Sequence, residues 1–178
     1  MPDSTTLAQR ISAISLLRGS FTLRSGRTSS YYLDKYLFST RPEILRELGP
    51  MFAARLPPGT TLLAGAELGG IPLVTAASLA SGIPCAFVRN QRKEYGTAKL
   101  LEGKVGREDR VVLVEDVATT GGQALEAVGA LREAGALVLK VIATIDRLEG
   151  ARENLEAAGV AFEALFTVRD LGVDPPAE

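Results

Sequence analysis

Two adjacent carboxylates, Glu115 and Asp116, stand just before a run of small hydroxyl and glycine residues, Thr119-Thr120-Gly121-Gly122. Glycines let a backbone approach a ligand closely, and the unpaired N–H groups of a helix's first turn point at whatever lies beyond it. An anion held there gains roughly 0.3–1 kcal/mol from the helix dipole, more when partly buried. Thr119 and Thr120 add hydroxyl donors. The carboxylates repel a phosphate, so they should face hydroxyls, or a metal ion carried by the same ligand. A sugar phosphate with free ring hydroxyls satisfies both halves of the motif.

The flanking sequence supplies the elements to position these groups. Val111 to Val114 form a short, mostly β-branched apolar run, as expected of a strand buried on both faces in a parallel sheet. Leu125, Val128 and Leu131 follow at helical spacing. Competing nucleotide motifs fit less well. A P-loop needs Gly-Lys-Ser/Thr, and no lysine follows Gly122; a dinucleotide fingerprint needs its glycines directly after the strand, and two acids intervene. An ordinary strand-to-helix connection with a glycine-rich turn is the plain alternative.

Glu115-Asp-Val-Ala-Thr-Thr-Gly-Gly122 resembles the ribose-phosphate signature of the type I phosphoribosyltransferases, enzymes that use phosphoribosyl pyrophosphate (PRPP). The resemblance implies an α/β fold with a mostly parallel central sheet flanked by helices and a small N-terminal hood. It also implies that Glu115, Asp116, Val117, Ala118, Thr119, Thr120, Gly121, Gly122 and Gln123 bind PRPP. A second glycine-bearing turn, Ala66-Glu-Leu-Gly-Gly70, enters another helix and again leaves N–H groups for an anion. By the same resemblance Glu67, Leu68, Gly69 and Gly70 are the pyrophosphate loop, where a non-proline cis bond is expected near Glu67-Leu68.

Which base is used is suggested by two further stretches. Phe21-Thr-Leu-Arg-Ser-Gly26, with Ser-Tyr-Tyr32 after it, is similar to the hood hairpin of orotate phosphoribosyltransferases. The likeness implies that Arg24 and the backbone near Tyr31 and Tyr32 meet orotate, together with Thr119. Family members often carry lysine at the Arg24 position, a point charge where arginine is a planar fork. Arg147 follows the apolar run Leu137–Asp146, and the resemblance gives it the orotate carboxylate. Ligands in open α/β sheets bind at the carboxyl ends of strands, which places Arg147 in the crevice with Asp116.

Arg89 to Lys99 is the most polar stretch and carries Arg89, Arg92, Lys93 and Lys99. Gly96 and the absence of apolar periodicity predict a mobile loop, taken as residues 89–103. A solvated connection is the bland reading. Orotate phosphoribosyltransferases place an arginine, two lysines and a histidine here. Aligned on Arg89 and Gly96, this chain matches at Arg89 and Lys93 but has Asn90 and Tyr95 where the family has a lysine and the histidine. The resemblance makes Arg89 and Lys93 pyrophosphate cations, Lys93 the main catalytic one beside Asp116 and Glu115. It also implies a homodimer whose loop reaches the neighbouring subunit's site.

Composition bounds the rest. With 178 residues, 46% hydrophobic and 23% charged, one domain spanning 1–178 is expected. Residues 1–40 supply a helix and the hood hairpin, and 41–178 the α/β core. A net charge of −1 without a basic cluster argues against a nucleic-acid partner. The lone cysteine, Cys85, points to a reducing, cytoplasmic setting, and no apolar run is long enough to span a membrane. The chain has no histidine, so any metal should be oxygen-bound. Mg²⁺ is expected, carried by PRPP and waters, with Asp116 the one candidate protein ligand.

Element by element, the periodicity predicts a helix from Thr5 to Leu17, capped by Asp3 or Ser4, with Leu7, Ile11, Ile14 and Leu17 inward. Further helices are expected from Pro42 to Leu56, up to Ser81, from Gln123 to Gly135 and over 151–158. Strands are expected over 61–65, 85–89, 137–146 and 161–168. The implied reaction joins orotate to PRPP, giving orotidine 5′-monophosphate and pyrophosphate. Its alternatives are a purine phosphoribosyltransferase, which would not need Arg24 or Arg147 for a base carboxylate, and a non-catalytic PRPP-sensing regulator.

Overall fold

The computed structural model describes residues 6–22, 28–90 and 100–175. Helix α1 spans Leu7–Ser15, and its cap is Thr6 rather than Asp3 or Ser4. The Thr6 hydroxyl accepts from Gln9 N while the Gln9 side chain accepts from Thr6 N, a reciprocal capping box. The helix is shorter than its periodicity predicts. Leu16 and Leu17 leave it to pair with Leu33 and Tyr32, so strand β1 is Leu16–Thr22 and strand β2 is Thr28–Leu33. Leu17 is therefore exposed. This antiparallel pair is the expected hood, a two-stranded sheet separate from the core.

A short helix absent from the sequence reading follows: α2, Lys35–Ser39, capped by the Asp34 carboxylate, which accepts from Tyr36 N at 3.1 Å. Helix α3 (Pro42–Ala53) begins with Pro42 in its first turn, where proline's missing N–H costs nothing. It buries Ile44, Leu48 and Phe52. Truncating a side chain such as Phe52 to alanine in a packed core costs about 3–5 kcal/mol.

The core is a six-stranded sheet in the order β5-β4-β3-β6-β7-β8, in which β3 is Leu62–Ala66, β4 Cys85–Val88, β5 Leu101–Glu102, β6 Arg110–Ala118, β7 Leu137–Asp146 and β8 Ala161–Thr167. All neighbours are parallel except β4 and β5. Helices α4 (Gly70–Ser81), α5 (Gly122–Glu133) and α6 (Ala151–Ala157) make the crossovers. Because strand side chains alternate, Val112 and Val114 join α1, α3 and α4 on one face, whereas Val111 and Leu113 join α5 and α6 on the other. The result is the three-layer α/β architecture expected from the sequence.

Two boundaries need correction. The strand expected at the apolar run Val111 to Val114 does not end there, because β6 continues through Glu115 and Asp116 to Ala118, pairing with β7 as far as Asp146. The loop expected over 89–103 is also narrower: Leu101–Glu102 pair with β4, and Arg89 N donates to Leu100 O at 2.8 Å. Among the described residues no helix is long and apolar enough to cross a membrane.

Candidate active site

Strands β3 and β6 are neighbours whose chains leave in opposite directions, β3 through α4 to β4 and β6 through α5 to β7. Such a switch point opens a crevice at the carboxyl ends of the two strands. Both glycine loops emerge there. Asp116 is buried on the β6 side, and Gly69 faces it so closely that a Cβ on Gly69 would lie 1.6 Å from Asp116 Oδ2. The loop on the β3 side contains a cis bond between Glu67 and Leu68, at the expected position.

The acid pair is tightly held. Glu115 Oε1 accepts from Asp116 N at 3.0 Å, and Asp116 Oδ1 accepts from Val117 N at 2.5 Å. Burial, with the Asp116 charge next to it, pushes the Glu115 carboxyl up to about 8. Asp116 Oδ2 forms an ion pair with Lys35 Nζ at 2.8 Å. Burial works against the Lys35 charge, but the Asp116 carboxylate outweighs it and holds the ammonium above its ordinary range. Sequence reasoning missed Lys35, since no motif links the start of α2 to the signature.

Beyond Ala118 the chain turns through Thr119 and Thr120 into α5. Gly121 is the N-cap, with φ +81° in the left-handed region, and a Cβ there would meet Ala151 O at 3.3 Å. Asn154 Nδ2 donates to Thr120 O at 2.8 Å and pins the turn to α6. No side chain caps α5, so the N–H groups of its first turn face the crevice mouth without an intrahelical partner. Gln123 Nε2 donates to Glu67 O (3.1 Å) and Asn90 Oδ1 (3.3 Å), while Asn90 N donates to Glu67 Oε1 (2.8 Å). The residue at the family's lysine position thus joins the two glycine loops.

Arg147 follows β7, its backbone N donating to Ala118 O at 2.9 Å. Its side chain is mostly buried, paired with Glu149 (Nε to Oε1, 2.9 Å) and stacked near Tyr31. Tyr32, the next residue of β2, points to the opposite face and is exposed beside Phe21. Arg89 lies 3.8 Å from Glu102 Oε1, so its guanidinium is directed at β5 rather than at the acid pair. Arg24, Lys93 and Tyr95 lie outside the described residues. Among the described residues no group of three acids or other ligating side chains could hold a metal ion.

No family model matches the chain. It is 45% identical over 178 residues to the orotate phosphoribosyltransferase of Haloquadratum walsbyi, covering 98% of this chain and 97% of the relative. The orotate phosphoribosyltransferase of Halobacterium salinarum is 50% identical over 153 residues, 86% of this chain and 87% of the relative. Among solved structures, the orotate phosphoribosyltransferase of Mycobacterium tuberculosis in complex with PRPP superposes with a TM-score of 0.79 at 33% identity, covering 97% of this chain and all of that one. With identity of this size along nearly whole chains, the protein belongs to the orotate phosphoribosyltransferase family.

Proposed function

We propose that the protein transfers the 5-phosphoribosyl group from PRPP to orotate, giving orotidine 5′-monophosphate and pyrophosphate, in the cytoplasmic synthesis of pyrimidine nucleotides. The observation that carries this reading is the meeting of the acid pair with the second glycine loop at the sheet's switch point, where Asp116 faces Gly69. A sugar with hydroxyls at one end of the crevice and a pyrophosphate at the other fits that geometry.

Breaking the C1–O bond of PRPP builds positive charge on the ribose and negative charge on the departing pyrophosphate, so binding and charge stabilisation do most of the catalysis. Glu115 and Asp116 accept from the 2′- and 3′-hydroxyls beside the cationic ring. The N–H groups and hydroxyls from Val117 to Gln123 hold the 5′-phosphate. Glu67, Leu68, Gly69 and Gly70 bound the pyrophosphate, which Arg89 and Lys93 neutralise. Arg24, the backbone near Tyr31 and Tyr32, Thr119 and Arg147 hold orotate. Lys93 and Arg24 enter through the sequence resemblance alone.

The crevice fits Mg²⁺ bound chiefly by substrate oxygens and waters, with Asp116, whose Oδ2 borders Gly69, the signature acid that would reach it. Bound in this way, Mg²⁺ would neutralise charge on the leaving pyrophosphate. A homodimer completes the proposal. An apolar groove of about 640 Å³ between α3 and α4, lined by Leu45, Pro50, Pro72 and Leu79, supports it as a surface a second subunit could cover.

The test is the loss of orotate absorbance when PRPP and Mg²⁺ are added, with adenine, hypoxanthine, guanine and uracil as controls. Consumption of orotate alone is the expected result. Turnover of a purine instead would reassign the base, and binding of PRPP without any turnover would make the protein a sensor.

A further inference from the structure

We infer that Lys35 is a positioning residue of the PRPP site, its ammonium holding the Asp116 carboxylate where the ribose hydroxyls must meet it. The inference rests on the proposed reaction and adds a residue that neither the signature nor the hood resemblance includes.

Asp116 is 1% exposed, and its two oxygens have different partners: Oδ1 takes the Val117 N–H and Oδ2 takes Lys35 Nζ at 2.8 Å. Gly69, without a side chain, borders Oδ2 on another side. A small rotation of the carboxylate would carry Oδ2 into the pyrophosphate loop. Glu115, 4% exposed, is its neighbour, so two acids crowd one dry corner. Without a counter-charge, the Asp116 carboxylate there would turn away or take up a proton. Among the described ion pairs, Lys35 supplies the cation at this corner.

The placement of Lys35 favours a role in the site over a role in its own helix. It is the first residue of α2, where a cation gains nothing from the helix dipole. Its side chain is 29% exposed and reaches inward to a carboxylate from another element. Lys35 also follows closely on β2, the strand that carries Tyr31 to Arg147. One hood segment therefore touches the base side of the crevice through Tyr31 and the ribose side through Lys35. The ion pair at Oδ2 and the Val117 N–H at Oδ1 together fix the orientation of the carboxylate, and the lone pairs that neither partner takes are left to accept from a ribose hydroxyl.

The experiment compares the full-length protein with Lys35→Met, Lys35→Arg, Asp116→Asn and the Met/Asn double variant. PRPP affinity is measured by calorimetry with Mg²⁺, and KM is measured for both substrates. Lys35→Met should weaken PRPP binding at least about tenfold while the orotate KM stays within about twofold, as for loss of one charged hydrogen-bond partner at the ribose side. Lys35→Arg should recover most of the loss, and Lys35→Met should add nothing in the Asp116→Asn background, since it acts through that carboxylate. Unchanged PRPP affinity in Lys35→Met overturns the inference. So do effects that multiply in the double variant, or equal rises in both KM values, which would mark general loosening of the hood. If Lys35→Met does not fold, Lys35→Gln, a neutral donor, is read against the same outcomes. Failure of the wild-type protein to consume orotate would defeat the proposed reaction, while the PRPP affinities would still decide the part played by Lys35.

Discussion

The guanidinium carbon of Arg147 lies 5.3 Å from the centre of the Tyr31 ring, and Arg147 Nη2 donates to the Tyr31 hydroxyl at 3.5 Å. Two residues far apart in the chain, both expected near the base, are thus in contact. A planar guanidinium held by an aromatic face on one side and by Glu149 on the other is fixed before any ligand arrives.

Arg147→Ala should therefore act on orotate more than on PRPP. Loss of a hydrogen bond to a charged group is worth about 1.5–3 kcal/mol, so the orotate KM should rise roughly tenfold to a hundredfold. Arg147→Lys should recover little, because an ammonium lacks the fork and the flat face. Tyr31→Phe keeps the stacking surface and should change the orotate KM by less than about threefold, given the length of its hydrogen bond. Steady-state kinetics with each substrate varied in turn is the measurement, and an orotate KM unmoved in Arg147→Ala would remove the residue from the base site.

Gly69→Ala tests the close approach of the second glycine loop to Asp116. Gly69 has φ −72° and ψ −26°, an ordinary helical conformation, so alanine costs nothing in the backbone. Its Cβ would nevertheless fall 1.6 Å from Asp116 Oδ2. The carboxylate must move, and PRPP affinity should fall by at least about tenfold with the orotate KM little changed. Titration calorimetry with PRPP reads this directly; an affinity equal to that of the wild type would show that Asp116 does not meet the ribose from this position.

Much of this site was legible in the sequence because it is local. The apolar run, two acids, small turn and helix between Val111 and Leu131 specify a strand, loop and helix terminus within one segment, and the structure places them so. What pairing across the chain decides was less legible. Leu17 keeps perfect helical spacing with Ile11 and Ile14, yet it becomes a strand residue because Tyr32 offers it a ladder partner. Lys35 belongs to no motif, and only the fold brings Asp116 to it. Asn90 reads from the resemblance as a missing cation, whereas its contacts to Glu67 and Gln123 make it a tie between loops.

Lys93 is the residue whose proposed part is most chemical and least structural. Neutralising a departing pyrophosphate is a contact that strengthens as charge develops, so Lys93→Ala should lower kcat by orders of magnitude with a modest change in PRPP affinity. Single-turnover kinetics with saturating PRPP checks this, and an unchanged kcat would take Lys93 out of the mechanism.

The acid pair gives a pH dependence whose sign follows from burial. The Glu115 carboxyl is raised from 4.5 to about 8 by desolvation and by the Asp116 charge, so between those values the folded protein keeps a proton that the unfolded chain releases. Stability from this group is complete below about pH 4.5 and is lost as pH rises through 8, with a limiting slope of about 1 kcal/mol per pH unit. The other shifted groups act outside this window. Glu47 and Glu163 are lowered by hydrogen bonds from Arg10 and Lys140, so their contributions fade only in acid below 4.5, and Lys35 is raised above 10.5. Glu115→Gln copies the protonated acid but has no proton to lose. Its melting temperature should match the wild type near pH 5 and exceed it by several degrees near pH 8.5, since 1 kcal/mol moves a domain of this size by about 2–4 °C. Thermal melts of both proteins across that range make the comparison. Curves that stay parallel would mean that Glu115 is already ionised in the folded protein at neutral pH, and that the corner is better balanced by Lys35 than its burial implies.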